Sequence, residues 1–234
     1  MKTRILMFAV AAALVLVAPA YAQWQTVYQN GFNSQASIAN WLNFHNTGGA
    51  ATISWENNAL KFTGGTGESA YGPSDYQAPG NKDYRISVDA MTIDHPGLAV
   101  MGIWYAHTTG WSDTACDILA VDNQTRMWYT IGGPTQQWFT PQSLKFNTPY
   151  NLGTWYHIEM GRFAGKYYMN VDGVPMFTDE TADAPHGGWV GLNNYTSTVY
   201  YDNFVVQEFV PEPSSMIALL SGVGALLALR RRRT

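Results

Sequence analysis

The residues that could do chemistry are few, and the spacing of the acidic ones argues against an enzyme. Hydrolysis of a glycosidic bond needs two carboxylates that flank the bond, about 5 Å apart when configuration is retained. Asp113 and Asp117 are four positions apart, and Asp179, Glu180 and Asp183 form a cluster typical of a solvated turn. Neither set has two carboxylates at i and i+2, the spacing that places them next to each other on one face of a strand.

Nucleophilic and metal sites have equally little support. There is no Gly-x-Ser-x-Gly nucleophile motif. The single Cys116 cannot form an internal disulfide, and a lone cysteine of this kind is most often a small buried apolar residue. Zinc is disfavoured because the histidines never recur at i, i+2 or i, i+4; they are His45, His95, His107, His157 and His186.

Aromatic residues in polar segments are the better candidates for function. Sugars present apolar C–H faces and hydroxyl edges, so a flat ring beside an amide or a carboxylate is what a saccharide site requires. Three segments that we expect to be loops between strands contain such rings. The ligand-contact candidates in them are Trp111, Asp113, Trp138, Asn194 and Tyr195.

Composition and charge narrow the class of protein. The chain has 234 residues, of which 46% are hydrophobic and 13% charged, and this composition excludes disorder and a coiled coil. Six of the 13 Lys and Arg lie at the two ends, whereas all 17 Asp and Glu lie between Arg4 and Arg230. That central part therefore has a formal charge of −10, which excludes nucleic acid as a partner and favours neutral or cationic ones.

The amino-terminal 22 residues are typical of a secretory signal peptide. Lys2 and Arg4 precede an apolar run from Ile5 to Ala18, and Ala20-Tyr21-Ala22 forms a small-x-small cleavage site. We expect export by the Sec machinery and cleavage after Ala22.

The carboxyl-terminal segment is typical of a membrane anchor with a stop-transfer end. An apolar run from Met216 to Leu229 is followed by a basic tail. Fourteen helical residues span about 21 Å of a hydrocarbon core about 30 Å thick, so Ser214, Ser215 and the arginine stems must extend the span. The predicted transmembrane helix covers about residues 214–229. The membrane-stop residues Arg230, Arg231, Arg232 and Arg233 should stay cytoplasmic.

This carboxyl-terminal segment resembles the PEP-CTERM sorting signal of Gram-negative bacteria. The triplet Pro211-Glu212-Pro213 stands before the apolar run and the arginine cluster at the extreme end of the chain. The resemblance implies an exosortase as partner, a temporary tether in the inner membrane, and transfer to the cell surface or the extracellular matrix. It divides the chain into a signal peptide (1–22), an ectodomain (23–209) and a sorting signal (210–234).

The middle of the chain is predicted to be an all-β sandwich of antiparallel sheets. Short alternating segments recur between turn residues, for example Tyr84 to Ala90 with Ile86, Val88 and Ala90 on one face. The segment from Gly97 to Tyr105 is almost wholly apolar, as a central strand would be. One helical turn is expected within Ser34 to Leu42. Further strands are predicted at residues 59–63, 118–121, 126–131, 155–160, 166–171, 189–192 and 199–206, with a tight turn at Asp172-Gly173.

The carboxyl half of this middle part resembles concanavalin A-like and laminin G-like jelly rolls. The segments Gly153 to Glu159, Tyr168 to Gly173, Gly188 to Leu192 and Tyr201 to Val206 carry the resemblance, and Gln29 to Asn33 is similar to the first strand. The resemblance implies a fold, and it does not imply an activity. Laminarinase-like relatives place their carboxylates as Glu-x-Asp-x-x-Glu, which is absent here.

Related jelly rolls sometimes hold a structural calcium ion between the first and last strands. Asp202 and the carbonyls of Asn30 to Asn33 would lie there, although calcium needs six or more oxygens and the alternative is that Asp202 bonds to neighbouring backbone. The sequence otherwise implies no cofactor. We expect a non-catalytic, lectin-like protein that acts with extracellular polysaccharide, the alternatives being a glycoside hydrolase on the same scaffold or a purely structural matrix protein.

Overall fold

The computed structural model describes residues 23–94, 98–107, 114–121, 124–130, 137–138, 151–179 and 187–210. Residues 98–100, 107, 114–121, 124–130, 137–138 and 177–179 are described by their backbone only. The predicted signal peptide, the predicted sorting signal from Pro211 onwards, and the candidates Trp111 and Asp113 lie outside these ranges. Within the ranges, no helix is long and apolar enough to cross a membrane.

Alternating and apolar segments of the sequence form β-strands throughout the described ranges. A single turn of 3-10 helix, Gln35–Ile38, lies within the segment predicted to be helical. The strands are β1 (Gln23–Asn30), β2 (Trp41–Asn46), β3 (Thr52–Glu56), β4 (Ala59–Thr63), β5 (Glu68–Pro73), β6 (Tyr84–Asp94), β7 (Leu98–His107), β8 (Thr114–Val121), β9 (Gln124–Thr130), β10 (Gln137–Trp138), β11 (Tyr156–Phe163), β12 (Lys166–Val171), β13 (Val174–Asp179), β14 (Trp189–Tyr195) and β15 (Thr198–Val210).

These strands form two antiparallel sheets. The eight-stranded sheet has the order β13-β12-β11-β6-β15-β4-β3, with β1 paired to β15. The seven-stranded sheet has the order β10-β9-β8-β7-β14-β5-β2. The strand predicted from the apolar segment at 97–105 is β7, which lies between β8 and β14. The prediction of an all-β antiparallel sandwich is confirmed.

Tight turns set the register of the hairpins. Asp172 and Gly173, predicted as a turn, have φ values of 50° and 74°, and they join β12 to β13. Two consecutive residues with positive φ form the type I′ turn, whose twist matches that of the flanking strands. Asn57-Asn58 and Ala164-Gly165 make the equivalent connections between β3 and β4 and between β11 and β12.

The apolar core lies between the two sheets. Ile86, Val88 and Ala90 of β6 are all fully buried, as the alternation of β6 predicts. Ile103 of β7 and Leu192 of β14 belong to the same cluster of buried side chains, so the inner faces of both sheets contribute to one core.

Two tyrosines link the sheets across this core. The Tyr84 hydroxyl donates to the Tyr105 carbonyl oxygen at 2.5 Å, and the Tyr105 hydroxyl donates to the Tyr84 carbonyl oxygen at 2.6 Å. Their rings are parallel, with centroids 4.2 Å apart. Burial raises the pKa of both hydroxyls well above the usual tyrosine range, so both remain donors at any physiological pH.

The described residues belong to two compact units. The large unit is Thr26–Glu208, and the small unit includes residues 23–25 and 209–210. In the small unit the rings of Trp24 and Phe209 meet edge to face, with centroids 5.4 Å apart. The core and the candidate site belong to the large unit.

The tyrosine link can be tested by removing single hydroxyls. We expect Tyr84→Phe and Tyr105→Phe each to lower the free energy of unfolding by about 1–3 kcal/mol, because each leaves a buried carbonyl without its donor. Urea denaturation followed by tryptophan fluorescence measures the change.

Tyr76→Phe is the matched control for these variants. The Tyr76 hydroxyl is buried without a hydrogen-bond partner among the described residues, and burial raises its pKa to about 12. Removing it should be neutral or stabilising. Equal losses in all three variants would show that the reciprocal bonds contribute nothing specific.

Candidate functional site

One cross-strand row of residues crosses the whole seven-stranded sheet. Its members are register partners from strand to strand, so each strand contributes one residue. We call it the central row; from β2 to β10 it consists of His45, Ala70, Asn193, Gly102, Asp117, Trp128 and Trp138.

The described side chains of the central row lie on the outer face of the sheet. Ile103 and Leu192 point into the core. Because side chains alternate along a strand, their neighbours Gly102, Trp104 and Asn193 face the other way. We call this surface the seven-strand face; its described side chains include Phe44, His45, Glu68, Trp104, Trp189 and Asn193.

Aromatic rings pack against each other on the seven-strand face. The His45 ring lies over the Trp104 ring with centroids 4.4 Å apart, and the Phe44 ring meets Trp104 edge-on at 6.1 Å. Phe44 is also nearly parallel to Trp189, at 14° and 6.5 Å. Trp104 is only 2% exposed, whereas Phe44, His45 and Trp189 are partly exposed. Trp104 therefore supports rings that a ligand can reach.

Two glycines let Phe44 approach the sheet. A Cβ atom at Gly72 would lie 2.0 Å from the Val190 carbonyl oxygen, and one at Gly191 would lie 2.2 Å from the Tyr71 carbonyl oxygen. The same Cβ atoms would lie within 2.9 Å of a Phe44 ring carbon. Only glycine fits at both positions, so β5 and β14 can pair closely beneath the ring.

A carboxylate is held beside these rings. Asn193 donates from Nδ2 to Glu68 Oε1 at 2.9 Å, and His45 Nε2 lies 3.7 Å from Glu68 Oε2. The side chains of His45 and Glu68 are 13% and 19% exposed. Fixed at one oxygen by Asn193, the carboxylate presents an acceptor of defined orientation next to a partly exposed imidazole.

A core tyrosine forms hydrogen bonds to the backbone at the middle of the central row. The Gly102 N–H donates to the Tyr201 hydroxyl oxygen at 2.9 Å, and that hydroxyl donates to the Asn193 carbonyl oxygen. Gly102 and Asn193 are register partners, so a hydroxyl from the opposite sheet bonds to both strands at this point. Tyr201 thus positions the backbone on which Asn193 and, through it, Glu68 depend.

The structure changes the setting of three predicted ligand contacts. Trp138, Asn194 and Tyr195 lie in strands β10 and β14, not in loops, because pairing extends further than the polar residues suggested. Trp138 belongs to the central row, and Tyr195, partly exposed, is the register partner of Glu68.

Asn194 is fully buried and cannot reach a ligand. Its Nδ2 donates to the Gly64 carbonyl oxygen at 3.1 Å, and its Oδ1 accepts from the Ser197 hydroxyl at 2.8 Å. These two bonds join β14 to the residue that follows β4 and to the residue that precedes β15. The candidates Trp111 and Asp113 lie outside the described residues.

Sequence reasoning missed most of the seven-strand face. The sequence marks His45 only as one of five isolated histidines, and it does not single out Trp104, Glu68 or Asn193. Asn193 had a usable signal: Leu192 is apolar, so continuing the strand alternation by one residue places Asn193 on the opposite face. Glu68 had none, because its partners come from 23 residues before it and 125 residues after it.

The described residues do not fit the expected calcium site. Of the carbonyls expected as ligands, that of Phe32 accepts from Trp55 Nε1 at 2.6 Å. Asp202 Oδ1 accepts from the Asn203 N–H at 2.7 Å, which is the alternative that the sequence left open. Within the described ranges, no three His, Cys, Asp or Glu side chains are grouped so that they could hold a metal ion.

Solved structures similar to this chain include binding modules and an enzyme. Carbohydrate-binding module CBM66 from Bacillus subtilis matches over 71% of this chain and 94% of its own, at 13% identity and a TM-score of 0.53. A mutant of the Emp46p carbohydrate recognition domain matches over 79% and 97%, at 9% and 0.53. The endo-beta-1,3-glucanase from Pyrococcus furiosus matches over 81% and 96%, at 12% and 0.57.

At these identities the similarity shows the fold alone. The chain has a galectin-like and concanavalin-like β-sandwich fold. No protein-family model matches the chain, and no curated protein matches it in sequence.

The environment of Asp202 predicts a pH-dependent stability. Burial, and secondarily the charge of Asp89, raises the pKa of the Asp202 carboxyl. Ionising this carboxyl therefore destabilises the folded state. This destabilisation is absent below the pKa of about 4 that the carboxyl has in the unfolded chain. It is present once the pH exceeds the higher pKa that Asp202 has in the folded protein. Asp202→Asn should therefore raise Tm at neutral pH, and the difference should vanish on acidification to about pH 3.

Differential scanning calorimetry of both proteins across this range checks the sign. Parallel scans with added calcium serve as the control for a metal role. A calcium-dependent rise in Tm that is lost in Asp202→Asn would show that Asp202 is a metal ligand after all.

Proposed function

We propose that this protein is a non-catalytic carbohydrate-binding protein that acts with extracellular polysaccharide, and that it binds glycan on the seven-strand face. The observation that carries the proposal is the group formed by His45, Glu68, Trp104 and Asn193 beside the central row. It combines the partly exposed His45 ring, supported by the buried Trp104, with a fixed hydrogen-bond acceptor. Apolar surface for C–H faces and acceptors for hydroxyls are the two requirements of a saccharide site.

The extent of the central row favours a chain of sugars over a single one. Seven strands give six interstrand spacings, and at about 4.8 Å each the row is about 29 Å long. Trp128 and Trp138 occupy its β9 and β10 positions, and Phe44 and Trp189 lie near its other end. Tyr195 remains a candidate for a contact at its margin, Trp111 and Asp113 remain candidates on the sequence alone, and Asn194 is omitted because it is buried.

The structural neighbours support a carbohydrate ligand without choosing between binding and hydrolysis. By their titles, two are carbohydrate-binding or carbohydrate recognition domains and one is an endo-beta-1,3-glucanase. The choice of binding rests on the acidic residues of the seven-stranded sheet. Glu68 on β5 and Asp117 on β8 are three interstrand spacings apart, about 14 Å. Paired catalytic carboxylates lie about 5 Å apart in retaining and about 6.5–9.5 Å apart in inverting enzymes.

The proposal includes export and sorting as the sequence indicates them. The signal peptide (1–22) would direct the chain through the Sec machinery. The segment 210–234, with Pro211, Glu212 and Pro213 before the predicted helix, would hold it in the inner membrane until an exosortase processes it. The glycan-binding body (23–209) would then be placed at the cell surface or in the matrix.

Glycan binding is tested on an array with the full chain in an amine-oxide detergent, which has no sugar head group. We expect binding to one class of polysaccharide, and Trp138→Ala or Trp189→Ala should weaken it about fivefold, since one aromatic contact is worth about 1 kcal/mol.

Trp155→Ala is the matched control. Trp155 is 44% exposed and directly precedes β11 of the eight-stranded sheet, so its loss should leave binding unchanged. Absence of binding to every glycan would remove the proposed function and favour a purely structural protein.

Sorting is tested separately in a Gram-negative host that has an exosortase. We expect Glu212→Ala to leave unprocessed protein in the inner membrane, because the triplet is the part of the signal that identifies it. Cell fractionation and immunoblotting measure the size and location of the product, and normal release of the variant would contradict handling by an exosortase.

A further inference from the structure

Charged residues are distributed unequally between the two sheets. The seven strands of the seven-stranded sheet contain only Glu68, Asp117 and Arg126 as Asp, Glu, Lys or Arg. The described side chains of Lys and Arg all belong to the eight-stranded sheet or to the loop before β6; they are Lys61, Lys82, Arg85, Arg162 and Lys166.

Salt bridges pair Lys61, Lys82, Arg85 and Arg162 with carboxylates. Lys61 Nζ lies 2.9 Å from Glu56 Oε2, and Arg85 Nη1 lies 3.1 Å from Glu159 Oε2. Arg162 lies 2.5 Å from Asp83, and Lys82 pairs with Glu208. These paired cations all lie outside the seven-stranded sheet, whose strands contain one Lys or Arg, Arg126 on β9.

Among the described side chains, Glu68 is the charged group beside the rings of the seven-strand face. Its side chain is 19% exposed, so solvent screens its charge less than that of a fully exposed carboxylate. The hydrogen bond from Asn193 to Oε1 fixes its position, and Oε2 is 3.7 Å from the nearest His45 nitrogen. A glycan that packs against Phe44, His45 and Trp189 must come close to this carboxylate.

We propose that Glu68 determines the charge class of the glycan, so that the seven-strand face binds neutral polysaccharides and rejects those with uronate or sulfate groups. This inference rests on the proposed function of the same face. A ligand hydroxyl can donate to Oε2, whereas a ligand carboxylate brought to the same place meets a like charge in a partly desolvated site. Amino sugars with a free ammonium group should bind more tightly than their N-acetylated forms for the same reason.

The test compares glycans that differ in charge alone. The probes are a uronic-acid oligosaccharide and the same oligosaccharide with its carboxyl groups reduced to hydroxymethyl groups. Binding of the full chain is measured by biolayer interferometry in amine-oxide detergent at a pH of about 8, where histidine side chains are generally neutral. We expect the natural protein to bind the reduced form at least about tenfold more tightly, a difference that added salt makes smaller.

Glu68→Gln removes the charge and keeps an oxygen that can accept from Asn193. We expect it to reduce the preference for the carboxyl-reduced glycan to about threefold or less, mainly by strengthening binding of the uronic form. It should weaken binding of a deacetylated chitooligosaccharide. Glu56→Gln, which changes net charge equally but lies on β3 of the other sheet, should leave both ratios as in the natural protein.

The outcomes separate this inference from the proposed function. If the protein binds glycan with a charge preference that Glu68→Gln does not alter, or that Glu56→Gln alters equally, then Glu68 does not determine the preference. Glycan binding itself would stand in that case. Tighter binding of the uronic form by the natural protein overturns the selectivity itself. Absence of binding to both forms and to the array overturns the proposed function together with the inference.

Discussion

Buried tyrosine hydroxyls that reach from one sheet to the backbone of the other are the constraint on which the structure depends. Apolar packing alone is non-directional and would tolerate sliding of the two sheets. Tyr84 and Tyr105 bond reciprocally to each other's carbonyl oxygens, and Tyr201 bonds to the backbone of Gly102 and Asn193. Because an unpaired hydroxyl or carbonyl in the core is costly, a displaced arrangement of the sheets would lose these bonds and gain nothing. The tyrosines therefore specify one alignment.

That alignment extends to the seven-strand face. Tyr201 holds the backbone of Asn193 from within the core, the Asn193 side chain holds Glu68 on the opposite side of the sheet, and Glu68 lies beside His45. His45 in turn rests on the ring of Trp104. A rigid sheet with such a series of contacts presents its rings and its acceptor in one geometry before any ligand arrives, so little ordering entropy remains to be lost on binding.

The sequence predicted the parts of this arrangement that are local. Strand alternation identified β6 and its buried residues Ile86, Val88 and Ala90, and the turn residues Asp172-Gly173 identified a hairpin. Strand β5 was missed because Gly72 and Pro73 are typical of turns, yet Gly72 is needed for close backbone approach to β14. The central row could not be predicted, since it depends on the register of strands far apart in the chain. β5 and β14, whose residues Ala70 and Asn193 are partners, are separated by more than a hundred positions.

The contrast between the two outer faces explains why glycan binding is assigned to one of them. On the eight-stranded sheet Arg85 bonds to both Glu159 and Gln207, and Asn170 donates to Glu159. A hydroxyl that approaches this network must displace charge-assisted bonds already made, so the exchange gains little. The seven-strand face has few charges and a cluster of rings, so a sugar that covers it displaces water from apolar surface and finds an acceptor in Glu68. The two outer faces thus differ: the polar groups of one are paired with each other, and the other carries the rings and the carboxylate on which the proposed glycan site rests.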